Sequence, residues 1–163
     1  MRLATLLLWW LVVACAGTPP AADLSQYHAV FLQVTANDAF DPEDLHHLEA
    51  SLIKAIQQGT PFETTATPSH DVSTLQIEVE TVSIRRVSNA LRISLGNTAG
   101  SNTISAWYTL RDGATGTELA RFKLIANSPQ RTAISPDWPW GDMETAMERM
   151  GRKLAVKLSS WYN

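Results

Sequence analysis

Apolar residues occupy every second position of HAVFLQVTA (28–36), where Val30, Leu32 and Val34 share one side. That period predicts a strand with one buried face. In DPEDLHHLEASLIKAIQQG (41–59) the spacing changes to three and four, with Leu45, Leu48, Leu52, Ile53 and Ile56 forming a stripe. A helix follows, with Asp41 as N-cap, Pro42 at its first position, acids in its first turn and Gly59 where it stops. TPFETTATPSHD (60–71) carries Pro61 and Pro68 and supports at best a short edge strand.

The plainest alternation is TLQIEVETV, in which Leu75, Ile77 and Val79 interleave with Gln76, Glu78 and Glu80. One face is therefore buried and one wet, a pattern common in antiparallel sheets. Val82 and Ile84 continue it one residue out of phase, which predicts a bulge or bend near Thr81. ALRISLGN (90–97) and SNTISAWYTLRDG (101–113) are further strand candidates, and TISAWYTLRD and TELARFKLIAN flank a Gly-containing hairpin loop. The span 72–127 thus reads as an antiparallel meander. SPQRTAISPDWPWG (128–141) holds three prolines and cannot be a central strand. In the closing stretch Met143, Met147, Met150, Leu154, Leu158 and Trp161 recur at helical spacing, with acids early and Arg152, Lys153 and Lys157 late. The order β-α-(β)-β-β-β-β-α predicts an α+β fold: a two-layer sandwich of a twisted, mainly antiparallel sheet with two helices on one face.

The N-terminus obeys a different pattern. After Arg2, an uncharged apolar run extends from Leu3 to Ala14, twelve residues, short of the roughly 20 that a membrane-spanning helix needs. It has the build of a secretory signal peptide. The run ends in Val12-Val13-Ala14-Cys15, and Cys15 is the only cysteine of the chain. This tetrapeptide resembles the bacterial lipobox. The resemblance implies cleavage after Ala14 and acylation of Cys15 by diacylglycerol on sulfur and a further acyl chain on nitrogen, palmitate being the usual class. Two or three chains anchor stably where one does not. Position 16 is Ala, not the Asp that commonly retains such proteins at the inner membrane, so the expected location is the periplasmic side of the outer membrane. The expected organisation is a signal peptide at 1–14, lipidated Cys15 with a Pro/Ala-rich tether to residue 26, and one domain at 27–163.

Composition narrows the function. With 163 residues, 45% hydrophobic and 18% charged, the chain suits one packed domain. Its net charge of −3 becomes more acidic once Arg2 is removed and disfavours nucleic acid as a partner. With no second cysteine, a disulfide within the domain is excluded.

The search for reactive chemistry returns little. His46 and His47 project about 100° apart on a helix, and Ala50 stands where the H-x-x-E-H zinc pattern needs a ligand; His47 is instead placed for Glu43 at i,i+4. Neither G-x-S-x-G nor a P-loop occurs. Glu78 and Glu80 share a strand face about 7 Å apart, the arrangement of a carboxylate pair and equally of a solubilising face. Arg85, Arg86, Arg92, Arg111 and Arg121 lie on or beside strands, where they could meet headgroup or lipopolysaccharide phosphates. Glu78, Glu80 and Glu118 are available as their cross-strand partners, and alternation puts Arg85 and Arg86 on opposite faces. Trp138 and Trp140, in Pro136-Asp137-Trp138-Pro139-Trp140-Gly141, either cover the last helix or meet a partner or the lipid interface. No catalytic residue, metal site or cofactor is expected. The candidate contacts with a partner or ligand are Trp138, Trp140 and Arg92.

The stretch LQIEVETVSIRRVSNALRISLGNTAGSNTISAWYTLRDGATGTELARFKL, with its arginines, glycine-serine turn and D-G-x-T-G, resembles a family of bacterial lipoproteins whose periplasmic domain has no assigned function. The order of elements is also similar to that of secretion and envelope-assembly lipoproteins. A fold analogy does not transmit function; the tether and the lack of any reactive constellation instead lead to the expectation of a lipid-anchored, non-enzymatic accessory or adaptor domain with an envelope protein partner. A periplasmic lipoprotein that binds a small molecule or lipid is the alternative.

Overall fold

The computed structural model describes residues 22–36, 40–88, 94, 100–128 and 143–162. Among these, the strands are β1 (Ala29–Ala36), β2 (Glu63–Thr65), β3 (Thr74–Arg85), β4 (Thr103–Asp112) and β5 (Glu118–Asn127), and the long helices are α1 (Pro42–Gly59) and α2 (Met143–Tyr162). The architecture is α+β, one sheet under two helices. Of the strand candidate at 90–97 only Ser94 is described, and it is helical rather than extended, while β3 pairs directly with β4.

The sheet runs β2-β1-β3-β4-β5 and is mixed. β1 pairs in parallel with both β2 and β3. The β3-β4 and β4-β5 pairs are antiparallel and form the expected meander. Parallel pairing of β1 follows from α1, because the chain must return the length of the sheet before pairing in the same direction. β2 is the short edge strand anticipated for the proline-flanked segment, and the register of β3 on β4 shifts between Thr81 and Ser83, where the phase change predicted a bulge.

Alternation sorts the two faces. Val30, Leu32, Leu75, Ile77, Val79, Ile104, Tyr108 and Leu110 are buried toward the helices, while Gln33, Glu78, Glu80, Arg121 and Lys123 point to solvent. Leu48, Leu52 and Ile56 of α1 and Met147, Met150, Leu154 and Leu158 of α2 close the core. Each such side chain contributes about 1.5–3 kcal/mol by leaving water. Asp41 caps α1 by accepting from Glu43 N–H at 2.9 Å. Asp44, buried in the first turn, takes an ion pair from Arg86.

α1 stops at Gly59, as the sequence predicted, and Thr60 caps the end, its N–H donating to Ile56 O at 3.0 Å. The glycine serves packing: a Cβ on it would lie 3.1 Å from Ala155 Cβ. On the facing helix, a Cβ on Gly151 would lie 2.7 Å from Ser51 O and 2.8 Å from Ala55 Cβ. Small residues thus recur every fourth position on both helices, Ser51, Ala55 and Gly59 against Gly151, Ala155 and Ser159. Ser159 Oγ donates to Gly59 O at 2.7 Å. The helices run in parallel, nearly backbone to backbone.

The domain begins earlier than the tether expectation placed it. Leu24 is fully buried and Ala22 packs on the core.

Two outcomes follow from the packing. Gly151→Leu forces the helices apart and lowers stability by about 2–3 kcal/mol, read as a drop in urea midpoint. Tyr108 Oη is buried with no hydrogen-bond partner, so Tyr108→Phe, which keeps the ring on Phe122, raises stability by about 1 kcal/mol in the same measurement.

Candidate functional site

β1, β3 and β5 start, β4 ends, and α1 and α2 both terminate at one pole of the sandwich. The chain enters the fold there. Leu24 N–H donates to Trp161 O at 3.0 Å, at the end of α2, and Tyr27 N–H donates to Leu24 O at 3.0 Å. Two aromatic pairs flank this point. Phe62 meets Tyr162 edge to face at 5.4 Å, and Phe122 meets Trp161 in the same way at 5.4 Å. Lys157 Nζ lies 4.6 Å from the Trp161 ring and 4.9 Å from that of Phe122, within cation-π range. Phe122 in turn stacks on Tyr108 at 5.5 Å.

A second tie joins the incoming chain to the β4-β5 turn. Tyr27, fully buried, donates from Oη to Asp112 Oδ2 at 2.8 Å. Asp112 Oδ1 accepts from Thr115 N–H at 2.7 Å and Thr115 Oγ1 at 2.9 Å. These donors, the Thr115 amide first and the Tyr27 hydroxyl next, hold the Asp112 carboxyl below its ordinary value. Burial, and then the Asp112 contact, push the Tyr27 hydroxyl up. The D-G-x-T-G sequence owes its glycines to this turn. Gly116 has φ +70°, and a Cβ on Gly113 would lie 2.5 Å from Thr74 O.

The open face of the sheet carries a charge ladder. Arg111 Nε donates to Glu78 at 3.1 Å and its Nη2 lies 3.9 Å from Glu118. Arg121 lies 3.8 Å from Glu80, and its guanidinium sits 5.2 Å from the Trp107 ring. Each of the two glutamates thus faces an arginine across the strands, as the cross-strand reading had it. Arg86 pairs with Asp44 on the helix side, so Arg85 and Arg86 do part to opposite faces. His47 lies 3.7 Å from Glu43. Among the described residues no three His, Cys, Asp or Glu side chains gather to hold a metal ion. An open groove of about 450 Å³ lies at the far end of β1 and β3, lined by Thr35, Ala36, Glu80, Thr81 and Val82, and Thr81 Oγ1 is buried there without a partner.

Ala14, Cys15, Arg92, Trp138 and Trp140 lie outside the described residues. What the sequence reading missed is the pole, where Leu24 and Tyr27 of the incoming chain are tied to Trp161 and Asp112. The available signals were a lone leucine in the polar stretch TPPAADLS and the acid that opens D-G-x-T-G.

No protein-family model matches the chain, and no curated protein matches its sequence. Solved structures do match its shape. A PelC dodecamer from Paraburkholderia phytofirmans superposes with a TM-score of 0.59 at 10% identity, over 88% of this chain and 93–94% of that one. The fold is similar to that of PelC. Protein XCC0632 of Xanthomonas campestris, of the DUF330 family, gives 0.53 at 12% identity over 88% and 90% of the two chains. The hypothetical protein CT253 of Chlamydia trachomatis gives 0.52 at 11% over 83% and 98%. At these identities the likeness is one of fold. Among the described residues no helix is long and apolar enough to cross a membrane.

The Asp112 tie has a pH signature. Because folding lowers its carboxyl from the ordinary 3.8, the contribution is present above that value and is lost as pH falls through the folded one. Asp112→Ala is therefore less stable than the parent at pH 7, and the gap between their urea midpoints closes as acid is added below pH 3.8.

Proposed function

We propose that this protein is a lipid-anchored, non-enzymatic adaptor domain held on the periplasmic side of the outer membrane through Cys15, where it serves an assembly or transport complex of the envelope. The observation that carries the reading is the Val12-Val13-Ala14-Cys15 sequence at the end of the apolar leader, joined to a fold that PelC shares. A short tether keeps the domain beside its membrane, and acyl chains at Cys15 supply about 0.8 kcal/mol for each buried CH₂. The glutamates that would make a carboxylate pair, Glu78 and Glu80, face arginines, which favours a solvated face over a reaction centre. PelC is a dodecamer, and self-association of this chain on the membrane belongs to the same proposal.

Cys15→Ser moves the domain from the membrane pellet to the soluble fraction of the host, followed by immunoblot after fractionation. Affinity purification of the anchored parent then recovers copies of itself or an envelope protein. Recovery of neither above background overturns the adaptor role, and membrane retention of Cys15→Ser overturns the anchor.

A further inference from the structure

The tether joins the body beside a ring of aromatic side chains. Nine residues lead from Cys15 to Leu24, a reach of roughly 30 Å fully extended. Leu24 is fixed to Trp161 O at 3.0 Å, and the fold adds a length of its own, since the ten residues of β4 span about 34 Å. An acyl group at Cys15 therefore keeps the Leu24 pole close to the lipid, while the other pole stands a strand length further off unless the body rolls over.

We infer that the collar of Trp161, Tyr162 and Lys157, seated on Phe122 and on buried Phe62, is a docking surface for zwitterionic phospholipid headgroups, and that it orients the domain on its own membrane. The inference rests on the reading of Cys15 as the anchor. Trp161 and Tyr162 are half-buried, leaving ring area for the interfacial zone, where such amphipathic rings are enriched. Lys157 brings a cation beside the rings. Glu63 and Asp71 are exposed carboxylates on the same pole. A surface of both signs matches a headgroup that holds phosphate and ammonium together, whereas a purely anionic lipid would meet these acids unfavourably. Val72, 72% exposed at the start of β3, adds an apolar side chain to the same end. The opposite pole, at the first turn of α1, presents His46 and Glu43 to solvent.

A photoreactive phenylalanine analogue in place of Val72 or His46 in the full chain, irradiated in host membranes, tests this. Position 72 yields several-fold more lipid adduct by mass spectrometry than position 46. Combining Lys157→Glu with Tyr162→Ser brings the two yields toward equality while the chain stays in the membrane pellet. Equal yields at 72 and 46 from a membrane-bound parent overturn the orientation and leave the anchor standing. An unchanged ratio in the double variant overturns the collar as its cause. A parent chain found in the soluble fraction with no adduct at either position overturns the anchor and the docking surface together.

Discussion

The closeness of two parallel helices governs this fold. A sheet of five strands offers a wide inner face, and two helices cover it only if they lie side by side without a gap. The stripes Ser51, Ala55, Gly59 and Gly151, Ala155, Ser159 allow this, because a Cβ at Gly151 would already lie 2.7 Å from backbone. Larger side chains on either stripe would open a trough between the helices and expose Leu48, Leu52, Leu154 and Leu158, which are fully buried. The interaxial distance depends on the side chains at the contact, so the smallest residues here set the thickness and width of the whole upper layer. The same closeness brings the ends of both helices to one pole, where Ser159 Oγ reaches Gly59 O at 2.7 Å.

The inner and outer faces were legible in the sequence because parity is a local property. Leu75, Ile77 and Val79 report their side of the sheet whatever strand lies next to them, and the phase slip after Thr81 reports the bulge that the register confirms. Pairing direction is not local. HAVFLQVTA alternates equally well beside a parallel or an antiparallel neighbour, and its parallel pairing with β3 is decided by α1, which carries the chain back along the sheet. Gly59 was legible as a helix end but not as a packing residue, since its neighbour Ala155 lies far along the chain. Leu24 was hidden by its setting: one leucine among Pro, Ala and Ser has no period, and only the carbonyl of Trp161 shows that it belongs to the core.

The charged face of the sheet explains why the carboxylate pair of the sequence carries so little functional weight. Two acids on one strand repel, and here Arg111 and Arg121 from the neighbouring strands relieve this at 3.1 and 3.8 Å. Ion pairs as exposed as these contribute at most about 1 kcal/mol. Their value is positional: they cover the open face of the sheet with charge and surround Trp107 with Arg121 and Lys123. β5, an edge strand among the described residues, is treated likewise, with Lys153 Nζ on Ile125 O at 2.6 Å and Arg149 on Asn127 O at 3.1 Å. Cations on edge carbonyls oppose strand-to-strand aggregation.

The two poles are built from different chemistry, and that difference gives the domain a direction. At the pole where the chain enters the fold it is fixed twice, by Leu24 on α2 and by Tyr27 on the β4-β5 turn, so the entering segment is tied to the sheet and to a helix together. At the other pole, buried Asn102 holds the structure through backbone groups. Its Oδ1 accepts from Val87 N–H at 2.8 Å and its N–H donates to Ser128 Oγ at 3.0 Å. Ser88 and Gly100 border the span 89–99, of which Ser94 is described, and Ser128 and Met143 border 129–142.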